Sequence, residues 1–157
     1  MVKINSTSRL SSITTKVILT QTDTTVGFVS QNKILLSEIK ERASSKPFIK
    51  VYKNFKILRN DNKRIPNSHK NLLRRSTKTT FIVKNSAFRI AKDRLHSSLL
   101  RSAQWNYSTS ANETTKNYKR DFCEEKTDII IEDKNSLYEG ISSSLYKINS
   151  KKKKRLR

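Results

Sequence analysis

Six runs of five or six residues, each rich in β-branched side chains, constrain this chain more than any other feature. They are Lys16 to Gln21 (KVILTQ), Thr25 to Ser30 (TVGFVS), Phe48 to Tyr52 (FIKVY), Thr79 to Lys84 (TTFIVK), Asp128 to Asp133 (DIIIED) and Ser143 to Ile148 (SSLYKI). Branching at Cβ suits the pleated surface of a strand, and runs this short favour strand over buried helix. Helical spacing lies between them: Leu35 and Leu36 stand four and three residues before Ile39, and Tyr118 stands four before Phe122. Strands alternating with short helices predict an α/β or α+β domain in which helices pack on a sheet. The 157 residues suffice for one compact core. The expected organisation is a domain over residues 16–150, preceded by a poorly ordered N-terminal extension over 1–15 and followed by a solvated basic tail over 151–157.

The charge balance narrows the partners. Thirty-four Lys and Arg against thirteen Asp and Glu leave a net charge of +21, part of it in HKNLLRR (His69 to Arg75) and KKKKRLR (Lys151 to Arg157). Such an excess points to anions, either nucleic acid or nucleotide phosphates. A merely solvated basic surface is the competing explanation. No run of about 18 apolar residues is present, so no membrane span is expected. The N-terminus lacks the apolar stretch of a secretory signal, which predicts a cytoplasmic protein. The single cysteine, Cys123, can form neither an internal disulfide nor a zinc cage, and is expected as a partly buried thiol on a helix. Gly27 and Gly140 are the only glycines, which excludes a glycine-rich phosphate loop. Side chains must therefore hold any phosphate.

Three places concentrate ligand-type groups. The first is TQTDTTVGF, Thr20 to Phe28, where a strand runs into hydroxyls and one carboxylate ahead of Gly27. The second is IKERASSKPF, Ile39 to Phe48. Lys40 and Arg42 would point about 200° apart on a continuous helix, but Pro47 and two serines favour an extended segment in which residues i and i+2 share a face. Lys40, Arg42 and Lys46 would then form a cationic clamp. The third is YSTSAN: if it ends a strand, Ser108, Ser110 and Asn112 project on one side. Taken singly, each place also fits ordinary turn, cap or helix-end chemistry. His69 and His96 lie in basic, helical-looking surroundings and are expected at the surface, and Trp105 is expected to pack in the core or at an edge.

In order, the three places resemble the YrdC-domain family, the threonylcarbamoyl-adenylate synthases. Gln21 to Phe28 match the family's Thr-Asp-Thr element, Lys40 to Phe48 its Lys-x-Arg and Lys-Pro element, and Ser110 to Asn112 its Ser-Ala-Asn. Thr80 falls on the threonine of the Pro-Gly-Pro-x-Thr strand, Arg89 resembles the arginine of the strand after it, Ser143 and Ser144 match a late Ser-Thr pair, and Leu156 and Arg157 match a closing Leu-Arg. The resemblance spans residues 16–157. Val26 stands where the family has tyrosine, Ala43 where it has proline, and Ser-Thr-Lys-Thr where it has Pro-Gly-Pro.

The resemblance implies a single domain with a twisted, mixed parallel and antiparallel sheet, flanking helices and a basic concave surface. It implies ATP with Mg2+, L-threonine and bicarbonate as substrates, and L-threonylcarbamoyladenylate and pyrophosphate as products. That product would serve a downstream threonylcarbamoyl-transferase complex acting on tRNA. Lys40, Arg42, Ser110, Asn112 and Arg157 would bind ATP. Thr24, Thr80, Ser108 and Ser143 would bind threonine. No catalytic residue and no protein-bound metal is implied. Two alternatives stand beside this one: a non-catalytic YrdC-like module that binds double-stranded RNA or tRNA, and a basic RNA-associated protein of unrelated fold.

Overall fold

The computed structural model describes residues 2–4, 15–41, 47–61, 63–114 and 116–157. Among these residues the elements in chain order are β1 (Val2–Ile4), β2 (Ile18–Gln21), β3 (Val26–Ser30), α1 (Lys33–Ile39), β4 (Ile49–Tyr52), α2 (Phe55–Asn60) and a 3-10 turn (Asn67–His69). There follow α3 (Lys70–Arg75), β5 (Thr79–Val83), β6 (Ser86–Ile90), α4 (Arg94–Ala103), β7 (Trp105–Ser110), α5 (Arg120–Glu125), β8 (Ile129–Ile131), β9 (Ser144–Ile148) and β10 (Lys153–Arg155). All six β-branched runs are strands, shortened at their ends. Tyr118 precedes α5 and does not belong to it.

The strands form one sheet in the order β1-β8-β2-β3-β7-β4-β6-β5-β9-β10. Neighbours run parallel at β8/β2, β4/β6 and β5/β9, and antiparallel at the other pairings. This is the expected mixed sheet. Two terminal segments add strands at the sheet edges: Val2–Ile4 pairs with β8, and Lys153–Arg155 pairs with β9. Backbone pairing of three residues leaves little trace in composition, and lysine is a usual occupant of an exposed edge strand because it discourages further pairing.

Side chains alternate across the sheet, so register sorts them into two faces. One face carries Leu19, Val26, Phe28, Tyr52, Phe81, Phe88 and Ile148, and four helices cover it. Leu36 of α1 and Cys123 of α5 complete one core cluster, and Leu58 of α2 and Leu73 of α3 complete another. Each such fully buried apolar side chain contributes about 1.5–3 kcal/mol. Cys123 is wholly buried; its thiol donates to the Ala111 carbonyl at 3.3 Å, and burial pushes it up to about 11. Among the described residues the opposite face has one helix, α4. Its Leu99 packs on Ile18, Val29 and Ile129, and its Leu100 packs on Val51 and Ala91. The remainder of that face stays open.

His96, expected at the surface, is fully buried where α4 meets the sheet, with Nε2 3.2 Å from Asn106 Oδ1. Helical periodicity puts it on the same face of α4 as the buried Leu100 and turns it toward β7. Trp105 is half-buried and meets the Tyr107 ring edge-on, with Lys50 Nζ 3.8 Å above its own ring.

Candidate active site

A cavity of about 440 Å³ occupies the open face. Thr22, Thr24 and Thr25 of the β2–β3 turn form one wall, Gly27 of β3 with Ser108 and Ser110 of β7 the floor, and Thr80, Ile82, Ala87 and Arg89 of β5 and β6 the other side. Ser142, Ser143, Leu145 and Arg157 close the rim. Six of the expected site residues thus meet in one place: Thr24, Thr80, Ser108, Ser110, Ser143 and Arg157. No Asp or Glu side chain is among the described residues that line the cavity.

The backbone explains the convergence. Thr22 nucleates the β2–β3 turn: its hydroxyl donates to the Thr25 carbonyl at 2.7 Å and accepts from the Thr24 and Thr25 amides. The segment before β9 docks on that turn, where the Gly140 amide donates to Thr25 Oγ1 at 3.1 Å. Glycine is needed there for space, since a Cβ would stand 2.0 Å from the Thr24 carbonyl oxygen. Docking brings Ser143 Oγ to 2.9 Å from Thr80 Oγ1, joining two residues 63 apart in sequence. Arg157 Nε donates to the Ser143 carbonyl at 3.0 Å, which turns the guanidinium toward the rim; its two Nη groups have no partner among the described residues.

Arg89 is the group whose role sequence left open. Its guanidinium is buried, donates to Thr24 Oγ1 at 3.1 Å, and lies 3.0 Å from Asp23 Oδ1, with both side chains of the pair 4% exposed. The pair is held by charge rather than by an aligned hydrogen bond, since neither Asp23 oxygen nor Arg89 Nε has a hydrogen-bond partner among the described residues. Burial holds the Asp23 carboxyl above its ordinary value, against the opposing charge of Arg89 and with reinforcement from Asp93.

Lys40 and Asn112 lie beside the cavity rather than in its lining. Lys40 caps the end of α1 and is buried; its ammonium donates to the Ser110 carbonyl at 3.1 Å, to Asn112 Oδ1 at 2.9 Å and to the Asn112 carbonyl. Asn112 Oδ1 also accepts from Ser110 Oγ at 2.7 Å. The lysine therefore fixes the Ser-Ala-Asn turn. Arg42 and Lys46 of the expected clamp lie outside the described residues.

Hydroxyls and guanidinium groups around a hollow without acidic side chains suit a small ligand bearing anionic groups. No protein-family profile matches the sequence, and no curated protein does. Solved structures do. Sua5 of P. abyssi complexed with L-threonine superposes with a TM-score of 0.77 at 20% identity, covering 90% of this chain and 50% of that one. E. coli YciO gives 0.72 at 13% identity, covering 91% and 82%. Full-length HypF in its phosphate- and nucleotide-bound form gives 0.71 at 15% identity, covering 90% and 22%. The chain thus spans about half the length of the Sua5 structures. At these identities the likeness is one of fold.

Proposed function

We propose that this YrdC/Sua5-type domain is an L-threonylcarbamoyladenylate synthase, which joins L-threonine, bicarbonate and magnesium-bound ATP and releases pyrophosphate. The observation that carries the reading is the meeting of Thr24, Thr80, Ser108 and Ser143 with Arg157 in one cavity. The complex of Sua5 with L-threonine supports it.

The chemistry needs positioning and charge neutralisation more than a nucleophilic side chain. The threonine amine first forms a C–N bond to bicarbonate, with loss of water, to give a carbamate. A carbamate oxygen then attacks the α-phosphorus, and the bond to pyrophosphate breaks. The Thr80–Ser143 hydroxyl pair and Thr24 would hold the amino acid, with Arg89 orienting Thr24. Ser110 and Asn112, braced by Lys40, would hold the nucleotide, and Arg157 with Arg42 would neutralise the phosphates. Lys40 is on this reading a positioning residue. Magnesium would enter as part of the nucleotide substrate. The product is a reactive mixed anhydride, which a transferase acting on tRNA would consume.

The test is threonine-dependent release of pyrophosphate from purified protein supplied with ATP, bicarbonate and magnesium. No such release from folded protein would overturn the synthase reading. One observation favours a second reading, a non-catalytic module for double-stranded RNA or tRNA: the ammonium of Lys40 is engaged in the turn and does not line the cavity, which leaves fewer cations for a triphosphate. Duplex RNA binding without pyrophosphate release would establish it.

A further inference from the structure

Cations without anionic counterparts collect on a surface that the cavity chemistry does not use. The cavity adjoins a second hollow of about 540 Å³, with which it shares Pro47, Ile82 and Ala87, and into which Lys33, Lys84 and Lys147 project. Lys84, at the tip of the β5–β6 turn, is shared in turn with a third hollow of about 650 Å³ on the helical face. Arg59, Lys63, Arg64 and Lys70 join Lys84 around that third hollow. No Asp or Glu lines any of the three. Arg59, Arg64, Lys70 and Lys84 form no ion pair among the described residues. Like charges gathered within a Debye length repel one another unless an anion joins them.

We propose that this track, running from the cavity over the β5–β6 turn to the helical face, binds a single-stranded segment of RNA. The phosphate backbone lies along the cationic rim. Pro66 and Val83, half-buried over the core residues Ile65 and Ile148, form an apolar floor to the third hollow and offer the face of an unpaired base a surface to cover. A duplex would keep its bases stacked and leave that floor empty. Asn67, Asn149 and Ser150 stand at the same hollow, with amide and hydroxyl groups suited to 2′-hydroxyls and base edges. The inference rests on the charge and shape of this surface and not on the synthase reading.

The experiment is fluorescence anisotropy of the full chain with a labelled single-stranded RNA of about ten nucleotides, titrated between about 50 and 200 mM salt. Affinity should fall with salt at a log–log slope of about −0.7 per phosphate contact. The R59Q/K70Q variant should bind roughly tenfold more weakly with a slope shallower by about 1.4, and Lys84→Gln should bind about threefold more weakly. Lys134→Gln, in the exposed β8–β9 loop, should bind as the parent does. Threonine-dependent pyrophosphate release measured without RNA should not change in R59Q/K70Q, which separates this inference from the synthase reading. Parent-like affinity and slope in both R59Q/K70Q and Lys84→Gln would overturn the proposal. So would duplex RNA binding as tightly with the same losses, or single-stranded DNA of the same sequence binding equally well.

Discussion

Replacing Arg89 by methionine tests how the cavity floor is held. The substitution keeps an unbranched apolar stem but strips the charge from a pair whose side chains are each 4% exposed. It leaves Asp23 buried without a counter-ion, and removing one partner of a buried pair costs about 3–5 kcal/mol. For a chain of this size each kcal/mol moves the melting midpoint by about 2–4 °C, so the expected drop is roughly 6–20 °C. The deficit should depend on pH in one direction. Burial already raises the Asp23 carboxyl, and Arg89 is the main opposing influence, so the variant raises it further. A carboxyl raised in the folded state stabilises the fold below its unfolded value, and that contribution is lost as pH rises through the folded value. The deficit of R89M should therefore be widest near neutral pH and close as pH falls. Arg89 also helps hold His96 down, so the double variant D23N/R89M separates the two effects: it should recover most of the lost stability and remove most of the pH dependence. Urea unfolding of parent, single and double variants at about pH 7.5 and about pH 4.5 supplies the measurement. A deficit under about 1 kcal/mol, or one unchanged between the two pH values, would refute the reasoning.

Three further outcomes follow from the same geometry. Gly140→Ala should destabilise by about 1–3 kcal/mol and raise the KM for threonine, because its Cβ would meet the Thr24 backbone at 2.0 Å and push Ser143 away; the urea midpoint and KM check both. Lys40→Met removes the donor to three acceptors of the Ser110–Asn112 turn and should cost about 1–3 kcal/mol while raising the KM for ATP, read by melting and by pyrophosphate release. His96, held down to about 4 chiefly by burial, stays neutral in the folded state while the unfolded chain takes up a proton below about pH 6.5. The parent should therefore lose about 3 kcal/mol as pH falls from about 6.5 to about 4, and His96→Gln should lack that loss; denaturant midpoints across the range decide it.

β2, β3, β4, β5, β8 and β9 were legible because β-branched runs announce them, and the site residues were legible through the family resemblance, whose motifs follow one another along the chain. Thr24, Thr80, Ser108 and Ser143 were singled out by the family resemblance, and the structure gathers them around one cavity. The contacts of Lys40 were not legible, since a lysine two residues before an arginine reads as a phosphate clamp while its ammonium also donates to groups about 70 residues away in the Ser-Ala-Asn turn. Residue type cannot disclose that a lysine will cap its helix and turn inward. β6 carried no β-branched run and was marked only by the resemblance, because SAFRI places a buried arginine on its cavity side, and only the burial of Asp23 beside it gives that charge a place. Lys78 adopts a left-handed φ of 47° at the entry to β5, where the resembling family has Pro-Gly-Pro. A turn built without its usual residues leaves no local signal.

The position of the cavity follows from which face each strand gives its large side chains. Phe28, Tyr52, Phe81 and Phe88 all point to the helical face, and four helices are needed to shield them. On the opposite face these strands and β7 present Gly27, Ser108, Ser110, Thr80 and Ala87, too small and too polar to reward a covering helix, which would strand hydroxyls away from water. α4 can settle only where the open face turns apolar, at Ile18, Val29, Val51 and Ile129, and that is where it lies. The hollow is thus the part of the sheet that no helix gains by covering. A one-residue slip of β3 would exchange Phe28 for Gly27, filling the hollow and emptying the core together, so the register that folds the protein is also the one that opens its site.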